Sequence, residues 1–146
     1  MICLKPIALN NINDFIGTSY DKMPADEKQK MIQESIDKIH NNSYFEILVA
    51  YKNDTVVGFV NVFAHSQHII SCAPEIKDEF RCKGLGLCFQ VLALNYAKGK
   101  GYTIAVADIE DSNTASIKLH EKLDFELLRK YNNKHGKTIR LYMKAL

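Results

Sequence analysis

Between His68 and Ala107 the chain reads as strand, helix, strand, and this spacing limits the fold more than any other feature. Tyr102-Thr103-Ile104-Ala105-Val106-Ala107 is a near-continuous apolar run, the pattern of a central strand buried on both sides. Leu85 to Lys98 carries a helical pattern and stops at Gly99-Lys100-Gly101, where a glycine can close a helix C-terminus. Two strands joined by such a helix run parallel, with a right-handed crossover. His68 to Ile76 supplies the first strand, but Pro74 interrupts it. Proline gives no hydrogen to a ladder, so the strand is expected to bulge or to part from a neighbour there.

The remaining elements fit around that unit. Ile2 to Lys5 reads as a strand stopped by Pro6, and Asn11 or Asn13 as the cap of a short helix through Gly17, followed by a loop over Thr18 to Met23. A second helix starts near Pro24-Ala25-Asp26-Glu27, with Ile32, Ile36 and Ile39 on one face. Tyr44 to Lys52 and Thr55 to Ala64 flank the two-residue turn Asn53-Asp54. Ser112 or Asn113 caps a helix to Leu123, with Ala115, Leu119 and Leu123 as its core face. Phe125 to Tyr131 and Thr138 to Lys144 close the chain as a hairpin. The expected architecture is α/β (α+β): a mixed sheet of about seven strands carrying helices.

Composition excludes several classes. The 146 residues fit one domain spanning 1–146, and no linker, repeat or low-complexity tract divides them. With 47% hydrophobic and 25% charged residues the chain resembles an ordinary globular protein, and no apolar run reaches the roughly 18–20 residues of a membrane span. A formal charge of +2 gives no case for nucleic acid. The start Met1-Ile2-Cys3-Leu4-Lys5-Pro6 lacks the pattern of a signal peptide, so a cytoplasmic protein is expected. Cys3, Cys72 and Cys88 are expected as buried thiols, while Cys82 sits among cations near a helix start, where a thiolate is favoured. No C-x-x-C pair is present and no metal site is expected. From Arg129 onward six basic residues stand without an acid, either a solvated hairpin face or a surface that attracts anions.

The chemistry is concentrated in Arg81-Cys82-Lys83-Gly84-Leu85-Gly86, a basic turn opening directly into an apolar helix. The first amides of a helix have no internal partner, and the macrodipole adds positive charge. Glycines leave that backbone uncovered, so a phosphate can reach it. A tight turn with two exposed cations is the plainer alternative. A Walker loop is excluded because Lys83-Gly84-Leu85 lacks its Ser or Thr, and a dinucleotide fingerprint because Phe89 stands where a third small residue is required.

At this point the chain resembles the GNAT superfamily of acyl-CoA-dependent N-acetyltransferases. The turn is similar to that family's pyrophosphate loop (Gln or Arg, two residues, Gly, one residue, Gly or Ala). The segment Asn113-Thr114-Ala115-Ser116-Ile117-Lys118-Leu119-His120-Glu121-Lys122-Leu123-Asp124-Phe125 is similar to its N-x-x-A-x-x-L-Y-E-K-L-G-F stretch. The resemblance implies helices on both faces of the sheet and a splayed V between the fourth and fifth strands. It implies that amides of Cys82, Lys83, Gly84, Leu85, Gly86 and Leu87 hold a pyrophosphate, with Arg81 beside them. The backbone at Ile76 and Lys77 would pair with the pantetheine arm, and Asn113 and Ser116 would flank it. Acetyl-CoA is the implied cosubstrate and a primary amine of a small molecule or peptide the implied acceptor. That acceptor is expected between the Thr18–Met23 loop and the Tyr131–Lys137 turn.

Two departures bear on catalysis. His120 stands where the family has a tyrosine acid, and Asp124 where it has glycine. Asn113, Ser116 and His120 share one helix face, so His120 can turn to the cofactor side and, as imidazolium, protonate the departing thiolate; a solvated bystander is the alternative. For the general base, Glu75 acting through water is a candidate and His65 and His68 lie upstream, each with a structural or surface role as the alternative. A non-catalytic acyl-CoA-binding sensor or subunit is the competing function, and a homodimer is the self-association left open. Transfer of another acyl group, or to a protein N-terminus, is a further variant.

Overall fold

The computed structural model describes residues 1–146. Its strands are β1 (Ile2–Pro6), β2 (Ser43–Lys52), β3 (Thr55–Ala64), β4 (Ile69–Ile76), β5 (Ile104–Glu110), β6 (Glu126–Asn132) and β7 (Thr138–Ala145). The helices are α1 (Ala25–Asp37), α2 (Leu85–Gly99) and α3 (Thr114–Lys122), with 3-10 segments at Leu9–Phe15 and Asp78–Phe80. The strands form one open mixed sheet in the order β1-β2-β3-β4-β5-β7-β6, with a two-residue strand, Ile39–His40, folded back on β2. Only the β4–β5 pair is parallel. The expected α/β architecture with an open mixed sheet is the one observed.

Each sheet face has its own core. Phe89, Ala93 and Ala97 of α2 and Ile117 of α3 pack with Leu48, Val60, Val62 and Ile70 on one face. Ile32 of α1 joins Phe15, Phe45, Ile47, Val49 and Phe59 on the other. A buried acid ties α2 down: Glu46, 1% exposed on β2, accepts hydrogen bonds from Tyr44 Oη at 3.0 Å and Tyr96 Oη at 2.8 Å. Burial and the Glu46 carboxylate together push the Tyr96 phenol up to about 12.

Several local expectations are corrected. α1 ends at Asp37, with Lys38 left-handed (φ 58°), so Ile39 lies beyond the helix and Ile36 turns outward. The buried stripe is Ile32 and Ser35, whose Oγ accepts the Ile47 amide at 2.7 Å. The first short helix is 3-10 and is preceded by Ala8, with Asn11 reaching back to accept the Ala8 amide at 2.9 Å. β5 begins at Ile104 because the Tyr102 amide bonds Ala97 O (3.2 Å), completing the end of α2. Buried on α3 are Ile117 and His120, while Ala115 is exposed. Asn113, not Ser112, caps that helix, its Oδ1 accepting the Ser116 amide at 3.2 Å. Of the cysteines, Cys72 is buried, Cys88 half-buried, and Cys3 and Cys82 exposed.

Candidate active site

Residues 70 and 105 mark where the sheet opens. β4 and β5 pair only at Ile69–Ile104 and Ile70–Ala105. His68 O accepts from the Thr103 and Ile104 amides at 3.0 and 3.1 Å, and Lys77 N donates to Val57 O at 3.0 Å. Backbone groups alternate sides along a strand, so even-numbered residues of β4 face β5 and odd-numbered ones face β3. Past Ile70, the groups of Cys72, Pro74 and Ile76 therefore face the opening. Pro74 has no N–H to leave unpaired there, and it stays in unbroken register with Val60 on its other side. The proline marks a one-sided parting; the alternative of a bulge at this position is corrected.

Side chains take up some of the freed carbonyls. Gln90 Nε2 donates to Cys72 O at 3.2 Å, and Arg81 Nε to Ile76 O at 3.3 Å. At the apex Ser71 Oγ donates to Val106 O at 3.0 Å, bridging the strands just past their last ladder pair. His65 Nε2 then has only the Ser71 oxygen to donate to. Gln90 and Ser71 were not anticipated. A polar residue inside the apolar run Leu87 to Leu94 was the readable signal for Gln90.

The opening is a cavity of about 730 Å³ whose walls include Glu75 and Ile76 of β4, Val106 and Asp108 of β5, the cap residue Asn113, and Ser116, Leu119 and His120 of α3. Arg81, Cys82 and Gly86 line it as well. Thus eight expected site residues meet on one cavity. Lys83, Gly84, Leu85 and Leu87 lie outside its walls, in or just after the turn. Lys77 is different: it does not line the cavity, and its amide is committed to Val57.

The turn leads into α2 with backbone rather than side-chain groups at the helix start. No side chain caps the α2 N-terminus. Gly84 takes φ 75°, which glycine adopts without strain, whereas Cys82 takes φ 61° as a non-glycine residue. Gly86 has another reason to be glycine. A Cβ there would lie 3.2 Å from Leu119 Cδ1 and 3.6 Å from Ile76 Cδ1, narrowing the slot between α2, β4 and α3. Arg81 is folded back, its guanidinium 3.2 Å from Asp78 Oδ1 and 3.8 Å from Glu75 Oε1.

His120 is 5% exposed and stacks edge-on against Phe125. Its Nδ1 donates to Ser116 O at 2.7 Å, which fixes the proton on that nitrogen. Nε2 is buried and has no partner. Burial lowers the imidazole pKa from 6.5, and the Ser116 bond offsets this only in part. The neutral ring therefore offers a lone pair, not a proton. Asp124, in the family's glycine position, takes φ 65°, a conformation Asp tolerates better than most residues. The basic hairpin is partly neutralised by β5 and the residue after it: Lys137 pairs with Glu110, and Lys130 and Arg140 with Asp111.

Comparison with known proteins bears on identity. A model of the acetyltransferase (GNAT) family matches residues 11–125. An L-methionine sulfoximine/L-methionine sulfone acetyltransferase of Pseudomonas aeruginosa is 36% identical over 70 residues, 48% of this chain and 37% of that protein. The match thus spans little more than a third of that curated relative's length. A ribosomal-protein-alanine N-acetyltransferase from Brucella melitensis superposes with a TM-score of 0.82 at 17% identity, covering 99% of both chains. A GNAT family acetyltransferase from Elizabethkingia anophelis, solved with acetyl-CoA bound, gives 0.70 at 15% identity over 99% of this chain and 98% of its own. These two share the fold. With the family model covering most of its length, the chain belongs to the GNAT family of acetyltransferases.

Proposed function

We propose that the protein transfers the acetyl group of acetyl-CoA to a primary amine of a small molecule or peptide. The observation that carries this is the one-sided parting of β4 from β5, which opens beside an uncapped α2 N-terminus. The residues fit such a cosubstrate. Gly86 keeps the slot open where a Cβ would narrow it, and His120, one of the residues lining the cavity, has a buried Nε2 with no partner.

When bound, acetyl-CoA supplies an activated thioester. Amides from Cys82 to Leu87 hold its pyrophosphate, assisted by the helix dipole. The β5-facing amides of Cys72 and Ile76 are available to the arm, with Asn113 and Ser116 across the slot. His120 Nε2 takes the proton that the attacking amine sheds and delivers it to the leaving sulfur. In total a C–N bond forms, a C–S bond breaks, and one proton moves from nitrogen to sulfur. A ring held neutral suits that relay better than it suits a standing acid.

The test is free-thiol release from acetyl-CoA across a panel of amines, alongside a thermal melt with CoA. A ligand that binds only the native state raises the melting temperature by mass action. Both a shift and amine-dependent thiol release are expected. A folded protein that shows neither at millimolar CoA overturns the proposal; a shift without release for any amine leaves a binding module.

A further inference from the structure

We propose that Glu75 is a positioning residue: its carboxylate latches the loop from Ile16 to Met23 to the β4 wall of the slot and, through Arg81, to the phosphate turn. The kinetic part of this inference rests on the acetyl-transfer reading. Glu75 Oε1 accepts the Ser19 amide at 2.8 Å across 56 positions of sequence. An ionised acceptor makes this one of the stronger classes of hydrogen bond. The same loop is held a second time, by the Asp78 amide donating to Gly17 O at 2.8 Å. Gly17 has φ 79°, so the chain reverses there without strain. A third hold is Tyr20, whose ring packs edge-on against Phe15 at 5.4 Å and whose hydroxyl meets Asn61 Nδ2.

Arg81 completes the latch from the cofactor side. Its guanidinium lies 3.8 Å from the oxygen that Ser19 uses, while its Nε holds Ile76 O. One carboxylate therefore stands between the loop on the α1 face and the turn that opens α2. Glu75 also lines the cavity. Loss of the latch should loosen the acceptor side of the slot without altering the proton relay. A general base would behave differently, because its loss strikes the chemical step.

Glu75→Ala and Glu75→Gln separate the two roles. Amide hydrogen exchange at Ser19 and steady-state kinetics against acceptor are measured for both, with CoA-induced thermal shifts confirming folding. In the alanine variant Ser19 exchange should speed up by roughly tenfold or more, and acceptor KM should rise about tenfold with kcat within about threefold. Glutamine keeps an oxygen for the Ser19 amide, so it should restore most of the protection and the KM. The pH profile of kcat should be the same in all three proteins. Unchanged Ser19 exchange in the alanine variant overturns the latch. So does a kcat loss of roughly 100-fold or more in both variants with the acid limb of the profile removed, which makes Glu75 the base. Absence of turnover in the parent would defeat the acetyl-transfer reading, and the exchange comparison would still decide the latch.

Discussion

The two faces of the sheet offer recognition by different means. On the α2–α3 face the groups offered to the slot are mostly backbone: the uncapped start of α2, the β5-facing amides of Cys72 and Ile76, and glycines that keep space open. On the α1 face side chains make the contacts: Glu75 accepts the Ser19 amide, and Tyr20 meets Asn61 and His65 meets Ser71 side chain to side chain. Backbone recognition needs only the right turn, so it suits an invariant pyrophosphate. Side-chain networks depend on each partner, so they suit an acceptor that differs between proteins. His120 is buried on α3 and is among the residues lining the slot.

The largest expected effect is at that residue. His120→Ala should lower turnover roughly 10²–10⁴-fold while leaving CoA affinity nearly unchanged. The parent rate should rise as pH increases through the lowered imidazole pKa and then level off, since the neutral ring is the working form. A rate that falls as pH rises through that pKa would restore the imidazolium acid expected from the family's tyrosine position. Stability should follow the same group. Folding lowers the His120 pKa, so the unfolded chain binds the proton more readily, and stability is lost as pH falls below about 6.5. His120→Gln should remove that part of the acid loss in denaturant titrations at several pH values.

Next in size is Gly58 on β3. A Cβ there would lie 2.3 Å from Glu75 O and 2.6 Å from Phe89 Cε2, so β4 and the α2 core must both move. Gly58→Ala should cost about 1–3 kcal/mol or more in urea unfolding, as overpacked sites do. A cost near zero would mean that β3, β4 and α2 are less tightly coupled than their geometry implies.

The two turn glycines then separate conformation from space. Gly86→Val should weaken CoA binding by tenfold or more with a smaller change in melting temperature, because its side chain would enter the slot. Gly84→Ala has open space around it but a left-handed backbone, so it should cost about 1 kcal/mol of stability and affect CoA mainly through the turn. Calorimetric titration with CoA and thermal melts on both variants check this. Equal effects on binding and stability at both positions would erase the distinction.

What was legible in the sequence follows the same division. The glycine turn before α2, the crossover and the parting near Pro74 could be read because glycine and proline impose local backbone rules that do not depend on distant partners. Asn113 was one of two caps considered and proved to be the one used. Ile36 and Ile39 misled because the period of α1 says nothing about where Lys38 ends it, and Ser35 is buried for the sake of an amide on β2. The latch was invisible, since Ser19 and Glu75 lie 56 positions apart and neither stands in a motif. For His120 the helix spacing put the residue on the Asn113 face, and it lines the cavity, but its proton depends on burial and on Ser116 O.

The central claim is that CoA is held by backbone on the α2 side of the parting. Amide hydrogen exchange with and without CoA tests it most directly, because exchange reports each amide separately. The account predicts slowed exchange at residues 82–87, Cys72 and Ile76, with the amides of α1 and of β1 unchanged. Protection absent from those positions, or centred on the α1 face, would contradict it.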